Sequence, residues 1–191
     1  MRTIVWDVDD VLNNLLEHWL ERWRKEHPEC KVAYGELRQN PPHEQLGLSF
    51  ETYLASLDEI RGSVSAHEEL TPNADITTWF RDYGSRFRHV ALTARAPHTS
   101  GPASAWVLRH FGTWIRTFAF IPVRPPKDWP TYDESKADYL QWLDPDAILI
   151  DDAPANVDRA KEKGLSAILY PQPWNASTQS KGELLKQLAT L

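Results

Sequence analysis

The chain has 191 residues, of which 41% are hydrophobic and 25% are charged, and its formal net charge is −6. This length suits one globular domain with a small insertion. The acidic balance disfavours a protein that binds nucleic acids or anionic membranes through a broad basic surface, but it leaves room for a local basic pocket. The single cysteine, Cys30, excludes an internal disulfide and a cysteine-based zinc site. We find no signal peptide and no apolar run of membrane-spanning length, and therefore expect a cytoplasmic protein.

The start of the chain predicts a buried strand followed by a helix. Residues 3–8, TIVWDV, form a short apolar run that reaches the first of three closely spaced aspartates. From Asn14 onward, leucine and tryptophan recur at the spacing of one helical face, and Pro28 ends this pattern. Residues 28–72 interrupt the regular pattern and contain one predicted helix, at 50–60. We interpret them as a small cap insertion.

Helices and strands alternate along the rest of the chain. The predicted elements are a helix from Ile76, a strand at 89–95, a helix at 103–112, a strand at 115–121, a helix at 134–143 with Asp133 as its N-cap, a strand at 147–152, a helix at 156–164, a strand at 166–170 and a final helix from Ser180. This alternation predicts a parallel sheet with helices on both faces. The predicted domains are a core formed by 1–27 and 73–191, and the cap at 28–72.

Acidic residues follow two of the predicted strands, and a threonine ends a third. The residues concerned are Asp7 and Asp9, Thr93, and Asp151 with Asp152, and Lys136 lies on the helix before the last pair. Parallel strands direct their carboxyl ends to one edge of the sheet, so we expect these groups to meet there. An oxygen-rich cluster of this kind is the site that Mg²⁺ prefers, and a bound cation with a lysine would offset the crowded negative charge.

The same residue types predict phosphoryl chemistry. Side chains two residues apart on a strand point to the same face, so Asp7 and Asp9 can both contact one substrate. One carboxylate can attack phosphorus to form an aspartyl-phosphate, while the other gives a proton to the leaving alcohol and later takes one from water. Mg²⁺ lowers the charge barrier to this attack. A threonine hydroxyl and a lysine ammonium can hold the remaining phosphoryl oxygens.

Four stretches in order, DVDDVL, LTAR, a lone lysine on a helix and LIDDAPAN, resemble the signature motifs of the haloacid dehalogenase (HAD) superfamily. The resemblance implies an α/β, Rossmann-like parallel sheet with a small, mainly helical cap inserted after the first strand-helix unit. It also implies that Asp7 is the nucleophile and Asp9 the acid/base. An aspartate at the second position is the phosphatase version of this motif, which the dehalogenases of the superfamily lack.

The resemblance assigns the phosphate-binding groups as well. Thr93 matches the hydroxyl of the second motif and Lys136 the lysine of the third. Ala94 and Arg95, which follow Thr93, are further candidates for substrate binding. Two alternatives stay open, because Lys136 could be a surface lysine in the first turn of a helix and Arg95 could be a surface arginine.

The metal ligands follow from the fourth motif together with the first. In the family, the metal acid is followed four residues later by a polar or acidic residue, and Asp152 with Asn156 has this spacing. We therefore expect Asp152 to bind Mg²⁺ directly, with Asp151 as an indirect or alternate ligand. Asp7 and the main-chain carbonyl of Asp9 complete the set that the resemblance implies.

Within the superfamily, the chain is most similar to the 5′(3′)-deoxyribonucleotidase group. The leading substrate prediction is therefore a nucleoside monophosphate, within the wider class of small phosphorylated metabolites. One departure is Asp10, where that group usually has glycine, and the substitution is tolerable if the backbone at this position has a negative φ. The aromatic residues Tyr34, Phe50 and Tyr53 either line the cap against a base or pack in its core.

Three other functions remain open at this point. A receiver domain also combines a phospho-accepting aspartate, a threonine and a lysine on a parallel sheet, although here an acidic pair follows the lysine. The chain could also be a HAD-like binding module without turnover, or a phosphatase acting on nucleic-acid ends, which the net acidity disfavours. Some small-cap HAD proteins complete their lid with a partner subunit, so a homodimer is an open alternative for which the sequence offers no support.

Overall fold

A five-stranded parallel sheet lies at the centre of the computed structural model, which describes all 191 residues. The strands are β1 (Thr3–Trp6), β2 (Arg88–Arg95), β3 (Ile115–Pro122), β4 (Ile148–Asp151) and β5 (Ser166–Leu169). Their spatial order is β3-β2-β1-β4-β5, and every neighbouring pair is parallel. The predicted parallel α/β architecture is confirmed, and β1 lies in the middle of the sheet.

Eight α-helices surround or extend the sheet. They are α1 (Leu15–Glu26), α2 (Phe50–Gly62), α3 (Val64–Glu68), α4 (Ala74–Tyr83), α5 (Ser100–Phe111), α6 (Lys136–Leu143), α7 (Pro154–Glu162) and α8 (Lys181–Ala189). The short helix α3 was not predicted. The predicted N-cap Asp133 is wrong, because the hydroxyl of Ser135 accepts the Asp138 amide at 3.2 Å and α6 begins at Lys136. None of the helices combines the length and apolarity needed to cross a membrane.

Both faces of the sheet are buried, because alternate residues of the central strand enter different hydrophobic clusters. Ile4 and Trp6 belong to a cluster of 31 buried residues that includes the helices of the cap region and α4, α5 and α8. Val5 points to the other face and joins a cluster of 10 residues with α6 and α7. The sheet is therefore covered on both sides, as predicted, and only its ends are free to carry polar groups.

The chain leaves and re-enters the core between β1 and β2. Asn13 and Pro72 form an antiparallel bridge, and the Asn73 amide donates to the Leu12 carbonyl at 2.8 Å. The residues between these points, α1 included, form one excursion of the chain between β1 and β2. The predicted boundary at residue 28 stays a prediction, since these contacts describe the neck of the excursion and not a domain division.

The aromatic residues of this excursion pack against one another. The Trp19 indole on α1 donates to the Ser56 hydroxyl on α2 at 2.9 Å, and its ring meets that of Tyr53 edge-on at 4.9 Å. Tyr53 is buried, while the hydroxyl of Tyr34 donates to Gln172 at 2.9 Å. Phe50 is exposed. Of the two alternatives for these aromatic residues, core packing describes Tyr53.

Candidate active site

The carboxyl ends of β1 and β4 bring three carboxylates together. The Asp7 amide donates to the Ile150 carbonyl at 2.9 Å, so the chain leaves β1 directly beside the end of β4. Asp7, Asp151 and Asp152 can each offer one oxygen such that all three oxygens lie within 4.8 Å of one another, and all three residues are buried. Such a set of hard oxygen donors could hold a metal ion.

Lys136 is part of this cluster. Its ammonium lies 2.7 Å from Asp7 Oδ1 and 2.6 Å from Asp151 Oδ2, and the side chain is 2% exposed. The alternative of a surface lysine is therefore wrong. Three carboxylates and one ammonium leave a formal charge of about −2 in a buried site, which matches the charge of one divalent cation. The residues present thus fit a divalent metal in both ligand type and charge.

The two acids at the end of β4 have different surroundings. The oxygens of Asp151 accept hydrogen bonds from Lys136, from the Ala153 amide at 2.9 Å and from the Asn156 amide group at 3.1 and 3.2 Å. Asp152 accepts one protein hydrogen bond, from the Trp174 indole to Oδ2 at 3.1 Å, and its other oxygen accepts none. These partners favour Asp152 as the direct metal ligand and Asp151 as the group that orients Lys136.

Burial dominates the acidity of these carboxyl groups. Burial raises the pKa of Asp7 to about 7; Lys136 opposes this effect and the charge of Asp151 adds to it. Burial also raises the pKa of Asp152 well above its usual range, and the neighbouring acids Asp7 and Asp10 add to the increase. The crowded negative charge is thus unfavourable with protein groups alone, which is consistent with a site for a cation.

Asp9 faces a different set of partners. The Nη2 atom of Arg95 lies 2.8 Å from both of its carboxylate oxygens, and Nη2 of Arg61 on α2 lies 2.9 Å from Oδ2. Burial alone would raise the pKa of Asp9, but the two guanidinium groups hold it well below the usual range. Asp9 is therefore ionised in this conformation. Its predicted role as acid/base requires that at least one of these ion pairs opens.

Arg95 is fixed by three protein partners. Its Nε donates to the Thr93 hydroxyl at 3.3 Å, its Nη1 donates to the Thr99 carbonyl at 3.0 Å, and its Nη2 holds Asp9. Its side chain is fully buried, so the alternative of a surface arginine is wrong. Thr93 is buried beside it, whereas the intervening Ala94 is exposed on the other face of β2.

The backbone at Asp10 does not meet the condition of a negative φ. Its φ is +61°, in the left-handed region where glycine is usual. Aspartate is one of the few residues that adopt this region readily, and here its carboxylate accepts the Leu16 amide at 2.8 Å. Burial raises the pKa of Asp10 to about 8. The Asp10 carbonyl accepts a hydrogen bond from the Gln172 side chain, which ties this turn to the loop after β5.

Four residues of the site were not predicted from the sequence. Arg61 and His67 come from α2 and α3, and Gln172 and Trp174 come from the loop after β5. None of them lies in a signature motif, and each reaches the site only through the tertiary packing of its segment.

The site is enclosed. Asp7, Asp9, Asp10, Asp151 and Asp152 are each 7% exposed or less. A cavity of about 860 Å³ lies at the opposite edge of the sheet, where it is lined by residues at the starts of strands such as Thr3, Ile148 and Ser166. That cavity holds none of the predicted site residues.

No family model and no curated protein matches the sequence. Solved structures do match the fold. A protein of Thermotoga maritima assigned as a beta-phosphoglucomutase aligns over 100% of both chains with a TM-score of 0.59 and 15% identity. A HAD-like hydrolase of Streptococcus pneumoniae aligns over 97% of this chain and 90% of its own, with a TM-score of 0.61 and 17% identity.

A third similar structure was solved with magnesium. The HAD hydrolase YfnB of Bacillus subtilis aligns over 88% of this chain and 86% of its own, with a TM-score of 0.51 and 12% identity, and is described as bound to magnesium and as showing interdomain movement. These likenesses establish that the chain has the HAD fold. Its structural neighbours are HAD-superfamily hydrolases.

Proposed function

We propose that the protein is a Mg²⁺-dependent phosphomonoester hydrolase that acts through an aspartyl-phosphate on Asp7. The observation that carries this proposal is the buried cluster of Asp7, Asp151 and Asp152 around Lys136 at the carboxyl edge of the sheet. The HAD hydrolases among its structural neighbours support the hydrolase class, and the magnesium bound by YfnB supports the choice of metal.

The site residues have different roles in the proposed reaction. Asp7, Asp152 and the main-chain carbonyl of Asp9 would hold Mg²⁺, which when bound would offset the charge between the nucleophile and the phosphoryl oxygens. The Asp7 carboxylate attacks phosphorus, the bond from phosphorus to the leaving oxygen breaks, and Lys136 and Thr93 hold the phosphoryl oxygens. Water then attacks the phosphorus of the aspartyl-phosphate, which releases phosphate and restores Asp7.

Asp9 carries out the proton transfers of the proposed reaction. It gives a proton to the leaving alcohol in the first step and takes one from the attacking water in the second. Because Arg95 and Arg61 keep the Asp9 carboxylate ionised, we infer that Arg61 gives up its contact with Asp9 when substrate binds. This makes the position of α2 part of the catalytic cycle.

The proposed substrate is a small phosphorylated metabolite. A site enclosed to 7% exposure or less favours a small molecule over a nucleic-acid end. Nucleoside monophosphates are the first candidates, because the motifs are most similar to those of deoxyribonucleotidases.

The test compares the wild type with Asp7→Asn on p-nitrophenyl phosphate and a panel of phosphorylated metabolites, with Mg²⁺ and with EDTA. Asp82→Asn is the matched control, because Asp82 is an exposed acid on α4 away from the site. We expect Mg²⁺-dependent turnover that Asp7→Asn abolishes and Asp82→Asn retains. No turnover by the metal-loaded wild type would contradict the proposal, and a stable aspartyl-phosphate without turnover would favour a receiver-like role.

A further inference from the structure

The two arginines beside Asp9 are not equally satisfied. Arg95 uses its Nε, Nη1 and Nη2 atoms on Thr93, Thr99 and Asp9, so the core fixes it completely. Arg61 makes one hydrogen bond, from Nη2 to Asp9, although its side chain is only 19% exposed. Its Nε atom is buried and has no partner. A buried donor without an acceptor is costly, which indicates that an acceptor belongs at this position.

A second buried polar group of the cap region is also unpartnered. The Nδ1 atom of His67 lies 3.1 Å from the Ile60 carbonyl, whereas its Nε2 atom is buried without a partner. Because Ile60 directly precedes Arg61, the ring lies beside the part of α2 that carries this arginine. Two helices that pack on each other, α2 and α3, thus each carry a buried polar atom without a partner.

Arg61 and Arg95 both contact the carboxylate of Asp9. Asp9 raises the pKa of Arg61 against the effect of burial, and Asp10 and Asp58 add to the increase. Lys136, which is proposed to hold the transferred phosphoryl group, contacts Asp7. Asp9 is the group proposed to protonate the leaving alcohol. Because Arg61 contacts Asp9, it lies on the side of the leaving group.

We propose that the leaving alcohol of the substrate carries a second acidic group, a carboxylate or a phosphate, and that Arg61 binds it. This inference rests on the proposed function. The acidic group takes the place of Asp9 as the partner of Arg61, occupies the unused Nε donor and lies within reach of His67. Binding of the correct substrate thereby frees Asp9 from one of its two guanidinium partners. Among nucleotides, a nucleoside 3′,5′-bisphosphate fits this arrangement better than the corresponding 5′-monophosphate.

The first test uses pairs of substrates that differ in the second acidic group. Glycolate phosphate is compared with 2-hydroxyethyl phosphate, and a nucleoside 3′,5′-bisphosphate with its 5′-monophosphate. The proteins are the wild type, Arg61→Gln, Arg61→Lys and the control Arg109→Gln, which removes an exposed arginine that pairs with Glu68 of α3. We expect the wild type to favour the acidic member of at least one pair by tenfold or more in kcat/KM. Arg61→Gln removes this preference, Arg61→Lys restores part of it, and Arg109→Gln keeps it.

Two results would overturn the inference. One is a wild type that hydrolyses p-nitrophenyl phosphate but shows no preference in either pair. The other is an Arg61→Gln variant that loses activity equally on all substrates, p-nitrophenyl phosphate included, since Arg61 would then serve the transferred phosphoryl group.

A binding measurement separates this inference from the proposed function. Calorimetry measures the binding of glycolate phosphate and of 2-hydroxyethyl phosphate without any turnover. The two proteins compared are the Asp7→Asn variant and the double variant that also carries Arg61→Gln. Tighter binding of the acidic ligand that depends on Arg61 supports the inference, even if the wild type hydrolyses nothing and the proposed function fails. Equal binding of both ligands refutes the inference while leaving the hydrolase proposal intact.

Discussion

At the scale of single residues, Trp174 is the side chain on which the orientation of Asp152 depends. Its indole N–H donates to Oδ2 at 3.1 Å, and its ring packs edge-on against Tyr34 at 5.7 Å. The hydrogen bond holds one carboxylate oxygen and leaves the other free for a cation. Groups of this kind typically affect metal affinity by tenfold or more.

We expect Trp174→Phe to weaken Mg²⁺ binding by about tenfold, because phenylalanine keeps the packing but cannot donate the hydrogen bond. Calorimetric titration with Mg²⁺ measures this change without any substrate. Trp142→Phe is the control, because Trp142 is exposed on α6 and contacts none of the proposed ligands. Unchanged Mg²⁺ affinity in Trp174→Phe would show that Asp152 needs no support from this ring.

His89 couples the stability of the core to pH. Its Nδ1 atom accepts from the Trp6 indole at 3.1 Å, and its Nε2 atom donates to the Gly84 carbonyl at 2.8 Å, so the neutral ring is fully used. Burial lowers its pKa from 6.5 to about 4, and the hydrogen bond to Gly84 opposes part of this effect. Protonation therefore favours the unfolded chain, and the stability contributed by neutral His89 is present above pH 6.5 and is lost as the pH falls towards 4.

We expect the free energy of unfolding to fall by about 3 kcal/mol more in the wild type than in His89→Gln between pH 6.5 and 4. Glutamine can accept from Trp6 and donate to Gly84 but does not titrate. Urea unfolding at a series of pH values gives the difference between the two proteins, which removes the contribution of the carboxylates they share. Parallel curves for both proteins would contradict the assigned cause.

The residues that could be predicted from sequence are those whose role follows from a strand end. Asp7, Thr93 and Asp151 come directly from the ends of β1, β2 and β4, and a parallel sheet brings such ends together. Arg61 and His67 could not be predicted, because they reach Asp9 through the packing of an irregular segment. The positive φ of Asp10 was also missed, since it depends on the tertiary contacts of the turn with Leu16 and Gln172.

At the scale of elements, the N-terminus of α6 sets the position of Lys136. Ser135 caps this helix by accepting the Asp138 amide, and Lys136 is the first residue of the helix. A cation at a helix N-terminus is unfavourable in the field of the helix dipole. The hydrogen bond accepted by Ser135 and the two carboxylate partners of Lys136 offset that cost. The Ser135 hydrogen bond therefore stabilises both the helix and the position of Lys136 in the site.

We expect Ser135→Ala to lower the free energy of unfolding by about 1 kcal/mol and also to reduce kcat on p-nitrophenyl phosphate, because Lys136 loses its fixed position. Ser180→Ala is the matched control, since Ser180 caps α8 in the same way, through the Glu183 amide at 3.2 Å. The control loses similar stability but keeps its kcat. Equal kcat for both variants would show that the α6 cap has no influence on the site.

The regular elements could be predicted because their periodicity is local. The strand over 89–95 and the helix over 50–60 differ from the observed β2 and α2 by one or two residues. The neck of the excursion could not be predicted in this way. The neck is formed by the bridge between Asn13 and Pro72, a pairing of residues far apart in sequence that leaves no periodic signal.

At the scale of the whole molecule, the excursion between β1 and β2 shares its hydrophobic core with the sheet. The cluster of 31 buried residues joins Ile4 and Trp6 of β1 to Leu57 and Ile60 of α2. A segment that buries its apolar face in a common core has no separate core of its own. We therefore expect any opening of the site during substrate entry to be a limited displacement of α2 and α3, with the shared core kept.

A shared core predicts one cooperative unfolding transition and not two. We expect circular dichroism, tryptophan fluorescence and calorimetry to give coincident curves for the wild type. Leu57→Ala, in the excursion, and Leu149→Ala, in β4 on the other face of the sheet, remove buried side chains that contribute about 2–5 kcal/mol each. Both substitutions lower the midpoint of that single transition for every probe. If Leu57→Ala instead produced a separate early transition while the Leu149→Ala midpoint moved alone, the excursion would be an independently folding cap, and site opening could then proceed by detachment of that unit.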